Sequence, residues 1–557
     1  MSQSQLLKKR KFYPLFWTQF LGAFNDNFFK NALVILITFR AGSVLGIPSN
    51  QMVAVSGGIF ILPFFLFSAT AGQLADKYEK SKIIRMIKLA EIYIMILAAI
   101  GFLTQQFAFL LLVLFLMGLH STFFSPIKYS IIPEHLDKSE LVGGNALIEA
   151  GTFLAILIGT LLGGILISVP EIGPLAVSLG LVAAAVLGYW ISRLIPEAKP
   201  LDPSLKIEWN PLPTTIKMIK IIWPNRAVFL SILGISWFWF FGATLLSLFP
   251  IYCKNVLKTN ETVVTLFLVI FSIGTGAGSL LCEKLSRKRL ELGLVPLGSI
   301  GLSVFAIDLF FQGIPVFRDG VGAIEFLSQS AGRHIAFDLL LLSIFGGLFI
   351  VPLYTLVQER SDQAMRSRVI AANNIINAIF MVAASVFLVL MMRAGFNSVQ
   401  LFLALGLLNG VVAIYIYTVL SEFLIRFGFW IIANIFYRLK ITGDEKIPEN
   451  KAVLQGMLRN IKPKRFCSRI HLKIVKLILG SLLFTLFFGT TANALTCSQI
   501  RDKSKTKKGK AQCTLVEHVP GLNRGSIKSV YECGNTRYTL ERAENNDCSV
   551  TVSKKEK

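Results

Sequence analysis

Two stretches of this chain repeat one another. From Met117 to Glu149 the sequence reads MGLHSTFFSPIKYSIIPEHLDKSELVGGNALIE, an apolar run that ends in a polar, basic elbow and enters a second apolar run. From Gly346 to Asn377 it reads GGLFIVPLYTLVQERSDQAMRSRVIAANNIIN. Pro126 matches Pro352, Glu134 matches Glu359, Lys138 matches Arg366 and Asn145 matches Asn373, a spacing of about 225 to 228 residues. A repeat that carries two membrane-length segments and the turn between them predicts a chain built as two homologous halves.

Composition decides the solvent. Hydrophobic residues make up 54% and charged residues 16%, with mean hydropathy +0.63, too apolar for a soluble core of this length. The expected fold class is therefore an all-α membrane protein. Apolar runs at 13–39, 51–75, 83–104, 106–131, 141–168 and 172–194, then at 227–252, 262–282, 292–312, 334–357, 368–392 and 398–420, predict twelve transmembrane helices in two pseudo-symmetric six-helix bundles. The bundles occupy 1–195 and 227–420, with a polar linker at 196–226.

Loop charge orients the bundle. Lys8 to Lys11 precede the first span, and Lys77, Lys80, Lys82, Arg85 and Lys88, then Lys284, Arg287, Lys288 and Arg289, then Arg360, Arg366 and Arg368 fall on the same side. The positive-inside rule makes that side, and both ends of the twelve-span bundle, cytoplasmic. The net charge of +24 is thus read as topology plus a basic tail, with the lipid bilayer as partner and no nucleic acid.

The first span is interrupted by Asn25, Asp26, Asn27, Lys30 and Asn31. At 1.5 Å per residue Asp26 lies about 20 Å from Tyr13, near the bilayer midplane. An ionised carboxylate there costs roughly 2.5 to 3.5 kcal/mol even on the lenient insertion scale, so it faces protein or a wet cavity. Either it serves a ligand or it pairs with a cation such as Lys30, one turn on.

Between spans two and three lies GQLADKYEKSK, from Gly72 to Lys82, and between spans eight and nine GSLLCEKLSRKR, from Gly278 to Arg289. A glycine, an acid and a basic cluster in this loop of each half resemble the signature of the major facilitator superfamily. In that family the acid and bases form a charge latch that closes the cytoplasmic gate. The resemblance implies one latch at Gly72, Asp76, Lys77, Lys80 and Lys82 and a second at Glu283, Lys284 and Arg287. This sequence departs from the pattern at Glu79, where the family has a glycine, and at Cys282, which displaces the second acid by one position. The other reading of these bases is that they only set topology.

Within the superfamily, FLGAFNDN in span one, SPIKY at the end of span four and NALIEAGTFLAILIGTLLGG in span five look like the bacterial lysophospholipid transporters, over roughly residues 12 to 420. That resemblance implies a lysophospholipid substrate, a cytoplasmic-membrane location and, as a partner, a separate acyltransferase or acyl-carrier-protein synthetase. It maps polar substrate-binding positions onto Asp26, Asn27, Lys128, Asn145 and Glu149. Read as residues, Lys128 suits a phosphate and Asp26 or Glu149 an ammonium. Lys128 also lies near a cytoplasmic helix end, where a lysine snorkels. Asn145 and Glu149 share one helix face, and Asn373 and Asn377 repeat the spacing in the other half. Such faces either line a cavity between halves or make interhelical hydrogen bonds. The chain holds 45 Phe residues for an acyl tail to rest against. No cofactor, catalytic group or metal-ligand set is singled out.

The tail changes character. Residues 421–456 begin SEFLIRFGFWIIANIFYRLK and resemble the opening of the glycerophospholipid acyltransferase domain that some bacteria fuse behind this transporter. The His and Asp that the family separates by four residues do not follow: His471 and His518 lack the Asp, and His334 and Asp338 have three residues between them in another place. Residues 457–494 have a basic start, an apolar centre and Ala492-Asn493-Ala494, the layout of a signal peptide or of a thirteenth span. Residues 495–557 carry Cys497, Cys513, Cys533 and Cys548, as expected of an exported disulfide module. From Ser421 onward 25 Lys and Arg face 11 Asp and Glu, so +14 of the charge sits in this tail.

The expected function is a secondary transporter of lysophospholipid, not an enzyme. The alternatives are a major facilitator exporter of drugs or metabolites, and a remnant of a transporter-acyltransferase fusion enzyme.

Overall fold

The computed structural model describes residues 3–40, 43–286, 289–313, 315, 317–419 and 421–431, and beyond them five backbone stretches, 440–442, 513–520, 527–533, 536–542 and 548–554. Arg287, Lys288, the signal-like segment at 457–494, Cys497 and most of the acyltransferase-like stretch lie outside the described residues. The chain divides into two compact units, Met1–Phe429 and Trp430–Lys557.

In the first unit, α1 (Gln3–Leu6) leads into α2 (Tyr13–Arg40), and a two-stranded ribbon of β1 (Ser43–Val44) and β2 (Ile47–Pro48) follows. Then come α3 (Ser49–Lys77), α4 (Lys80–Thr104), α5 (Phe107–His135), α6 (Lys138–Ile167) and α7 (Gly173–Ser192). The linker contains α8 (Pro211–Ile222), a helix the sequence reading left out. The second half holds α9 (Arg226–Asn255), α10 (Glu261–Ser286), α11 (Leu294–Phe311), the short α12 (Ala323–Ser328), α13 (Ser330–Arg360), α14 (Arg366–Arg393) and α15 (Ser398–Val419), followed by α16 (Ser421–Ile431).

Eleven of these helices are long and apolar enough to cross a membrane. The remaining expected span is α2, which runs for 28 residues but carries its polar group mid-helix. The protein is a multi-pass membrane protein. Reporter fusions after Lys82 and after Lys284 are expected to read cytoplasmic; an external signal from either would reverse the orientation.

The two halves are built alike. In the first, α2 packs on α6, α3 on α5 and α4 on α7; in the second, α9 packs on α14, α10 on α13 and α11 on α15. The repeated stretch falls on equivalent helices: Asn145 and Asn373 each stand seven residues past the first residue of their helix, Lys138 in α6 and Arg366 in α14. In lipid there is little hydrophobic drive between helices, so close backbone approach carries the packing. Gly159 and Gly163 supply it on α6: a Cβ on either would lie 2.5 Å from the carbonyl oxygen of Phe24 or Phe28 on α2. Asn31 on α2 adds a hydrogen bond to the Thr160 carbonyl at 2.7 Å.

At the end of the bundle, Glu422 on α16 accepts both Arg360 guanidinium nitrogens, at 2.7 and 3.0 Å, and Arg426 at 3.1 Å. Burial raises the Glu422 carboxyl, but the hydrogen bonds and charge of Arg360 and Arg426 outweigh it and hold it below its ordinary value. The second unit is a five-stranded sheet in the order β3-β7-β6-β5-β4, with β3 (Lys440–Thr442), β4 (Cys513–Pro520), β5 (Ile527–Cys533), β6 (Thr536–Arg542) and β7 (Cys548–Lys554). Its ladders are antiparallel except for β3 beside β7, and Cys513 stands opposite Cys533 in register.

Candidate functional site at the junction of the halves

The halves meet along α3 with α14, α6 with α10, and α5 and α6 with α13 and α14. At this junction the basic-loop ends of the helices are closed. Residues 141–149 of α6 and 346–358 of α13 are buried throughout, whereas much of α14 from Ile379 to Arg393 is exposed.

A charged contact spans the closed end. Asp76, fully buried in the last turn of α3, accepts the Ser367 amide at 3.0 Å on one oxygen; the other accepts the Arg368 amide at 3.3 Å and Nε at 2.9 Å. Both amides belong to the first turn of α14, where free N–H groups and the helix dipole favour an anion. The Asp76 carbonyl accepts the Leu201 and Asp202 amides at 3.1 and 2.9 Å, and Asp202 holds a terminal Arg368 nitrogen at 3.1 Å. Gly72, one turn earlier, allows the approach, since a Cβ there would lie 2.6 Å from that of Ala371. At the equivalent place in the other half, the Glu283 carboxylate lies against Gly143 of α6, whose Cβ would stand 2.9 Å from Glu283 Cδ. The acid that Cys282 displaces by one position still reaches the opposite half.

The bases of the expected latch do something else. Lys80 is buried and pairs with Glu134 of its own half at 2.7 Å. Lys82 and Lys284 are exposed and Lys77 is half-buried, none with an acidic partner within 4 Å among the described residues. Asp76 therefore finds its cation across the junction, at Arg368, which the sequence reading counted as a topology charge. Glu79, the departure from the family glycine, caps α4 by accepting the Ser81 and Lys82 amides at 2.8 and 2.7 Å, and also accepts the Ala198 amide at 2.9 Å. Burial raises the Glu79 carboxyl, but hydrogen bonds from Ser81, Ala198 and Lys82 more than offset that and hold it below its ordinary value. A depressed carboxylate contributes stability above its unfolded value and loses it as pH falls through the folded one. Glu79→Ala is therefore expected to destabilise by about 1 kcal/mol, evenly between about pH 5 and 8, with the difference from wild type fading only in more acid solution. Thermal unfolding across that range measures it.

Above this contact the junction is polar. Asn145 on α6 exchanges hydrogen bonds with Gln358 on α13 at 2.6 and 3.0 Å and donates to Thr355 at 3.1 Å. Gln358 also donates to the Tyr129 carbonyl at 3.0 Å. Tyr129 stacks on Tyr354 of the other half, ring centres 4.5 Å apart and planes 6° from parallel, and donates its hydroxyl to Glu149 at 2.5 Å. Asn374 reaches Ser125 at 3.0 Å. Asn373 is buried beside the Tyr354 hydroxyl, with no hydrogen bond to either amide atom. Asn377 instead accepts Ser236 within its own half at 2.7 Å. Lys128, half-buried, stands over the Tyr129 ring at 4.5 Å with no ion pair among the described residues.

Asp26 is half-buried on α2 and accepts the Ser121 hydroxyl at 2.7 Å, while its second oxygen is buried without a partner. It does not pair with Lys30, which lies over the Phe60 ring at 5.7 Å. Asn27 turns back to the Ala23 carbonyl at 2.8 Å. Behind Asp26 lies a charged cluster the sequence reading missed. Lys88 and Glu91, both buried, pair at 2.7 Å; His120 Nε2 stands 3.3 Å from Glu91, and Asn25 donates to Glu91 at 3.0 Å. Lys88 is thus a core residue of α4 rather than a loop base. Its signal was there, as Lys88 and Glu91 stand three apart within an apolar span.

The model of the Major Facilitator Superfamily matches residues 15–385. This chain belongs to that superfamily. Among curated relatives, the Lysophospholipid transporter LplT of Klebsiella pneumoniae is 30% identical over 353 residues, 62% of this chain and 80% of that protein. LplT of Cronobacter sakazakii is 27% identical over the same shares. Among solved structures, the human organic anion transporter MFSD10 superposes with a TM-score of 0.56 at 14% identity, covering 72% of this chain and 99% of that one. A bacterial homologue of ferroportin in its outward-facing state gives 0.51 at 18% identity over 72% and 99%. At these identities the structures establish the fold. The relatives and the superfamily make this chain a membrane transporter.

Proposed function

We propose that the chain moves lysophospholipid across the bacterial cytoplasmic membrane by alternating access, delivering it for re-acylation by a separate acyltransferase or acyl-carrier-protein synthetase. The reading rests on one arrangement in a chain that matches LplT of Klebsiella pneumoniae at 30% identity over 62% of its length: opposite charges, with Lys128 and Glu149 on α5 and α6, which meet the other half, and Asp26 on α2 beside Ser121 of α5. A lysolipid head carries a phosphate and, in the common zwitterions, an ammonium; Lys128 answers the first and the carboxylates the second. An acyl chain needs an apolar wall beside them. Phe153 on α6 lies 6.0 to 6.3 Å, centre to centre, from Phe238, Trp239 and Phe271 of the other half.

Asp76 with Arg368, and Glu283 against Gly143, would lock the cytoplasmic side when the substrate site faces out, and part when it faces in. Uptake of labelled lysophosphatidylethanolamine into spheroplasts tests the substrate. Accumulation above vector controls is expected, and should survive in a chain ended after Lys440, since the tail shares no repeat or polar motif with the bundle. No lysolipid uptake together with lowered cell content of drugs or metabolites would replace this reading with an exporter. Acyl transfer by the purified protein would favour the fusion-enzyme remnant.

A further inference from the structure

Away from the junction, where α11 ends and α13 begins, three metal-binding side chains converge. Asp308 lies in the last turn of α11, and His334 and Asp338 share one face of α13, one turn apart. One ligand atom from each lies within 4.8 Å of the others. His334 Nε2 is 3.3 Å from Asp308 Oδ2 and 3.8 Å from Asp338 Oδ1. Ligands 2.0 to 2.2 Å from a tetrahedral ion stand roughly 3.3 to 3.6 Å from one another, so these separations need only small side-chain movement to close on one.

A second observation is independent of the clustering. The Asp338 side chain is 1% exposed, and its Oδ2 is buried with no hydrogen-bond partner. No Lys or Arg pairs with either carboxylate among the described residues; the adjacent Arg333 is turned onto the Leu327 and Ser328 carbonyls at 3.3 and 2.6 Å. A buried carboxylate beside a second one, with no Lys or Arg on either among the described residues, is costly unless a cation or a proton is bound there. A divalent cation with neutral His334 would bring the group to zero. The His334 and Asp308 side chains are 50% and 40% exposed, which leaves a way in. The Gln312 carboxamide nitrogen, 2.8 Å from His334 Nδ1 and 2.9 Å from Nε2, borders the same space, and the group turned over offers an oxygen there.

We propose that Asp308, His334 and Asp338 form a binding site for a first-row divalent cation of the Zn²⁺ class, clamping the end of α11 to the start of α13. One imidazole with two carboxylates suits Zn²⁺ better than Mg²⁺ or Ca²⁺, which take oxygen alone.

The test is Zn²⁺ titration of chelator-stripped, full-length protein in detergent, for wild type, Asp308→Asn and His334→Asn. These two positions are partly exposed, so the comparison does not depend on Asp338→Asn folding. Wild type is expected to bind one Zn²⁺ more than either variant, or to bind it at least about tenfold more tightly, since even outer-shell changes at metal sites cost that much. Its unfolding temperature should rise with Zn²⁺ by more than theirs. Co²⁺ in the extra site should show d–d bands without thiolate charge transfer, which separates it from the cysteines. Equal uptake and equal thermal shifts in all three proteins would overturn the proposal. So would no uptake by wild type.

Discussion

Replacing Asp76 with Asn is expected to unlock the cytoplasmic end of the bundle and largely abolish transport. The carboxylate accepts three hydrogen bonds from the start of α14, one of them from the Arg368 guanidinium, and is fully buried. Asn can accept on one atom only, so its amide nitrogen would face donors, and Arg368 would keep only Asp202 as an acidic partner. Breaking one side of a buried charge pair costs about 3 to 5 kcal/mol. Even the lower figure moves a two-state equilibrium by more than a hundredfold, enough to turn a dominant closed state into a minor one. Maleimide labelling reads this directly. Ser130, fully buried on α5 in the closed end, tolerates Cys on size, and Ser130→Cys should label slowly in the parent and fast with Asp76→Asn. Arg368→Gln should act in the same direction, and the double variant should be far less than additive, because both remove one interaction. Unchanged labelling and unchanged lysolipid uptake would show that Asp76 holds nothing that moves.

How much of this was visible in the sequence follows from how each feature is encoded. The repeat placed α5 and α6 opposite α13 and α14 correctly because local chemistry marks helix starts: Lys138 and Arg366 are the first residues of their helices. Gly72 and Asp76 were singled out by the superfamily resemblance, and the structure sets them four apart near the end of α3. What the sequence did not encode locally was the partner. Asp76 was read with the bases of its own loop, yet its cation stands 292 residues away on α14. The Lys88, Glu91 and His120 cluster joins α4 to α5, and the Tyr129 and Tyr354 stack joins the two halves. Pairings of that range depend on the packing of one bundle against another, which periodicity along a single helix does not carry. Glu79 teaches the converse: a residue that breaks a family motif gains a reason once its three amide partners are seen.

Lys128 is the residue of the junction at which substrate binding can be tested apart from folding: Lys128→Met is expected to weaken lysolipid uptake roughly 10- to 100-fold while leaving the protein about as stable as wild type. The side chain sits about two turns inside the basic-loop end of α5, half-buried, against a tyrosine ring and with no ion pair among the described residues. An ammonium in that position is costly to the folded bundle, by roughly 2.5 to 3.5 kcal/mol on the insertion scale at its deepest. Methionine keeps most of the volume and removes the charge, so a purely structural lysine would be replaced without loss of function. A lysine that grips phosphate would not be. Charged hydrogen bonds contribute about 1.5 to 3 kcal/mol, so apparent affinity for lysolipid should fall roughly 10- to 100-fold, and a lysolipid lacking the phosphate should lose its discrimination between the two proteins. Asp26→Asn supplies the opposite charge. It keeps the shape that accepts Ser121 and should assemble normally, yet lose uptake of zwitterionic lysolipid more than of an anionic one. Lys128→Met that transports like wild type would remove the phosphate-binding role from this residue, and Asp26→Asn that fails to assemble would return Asp26 to the scaffold.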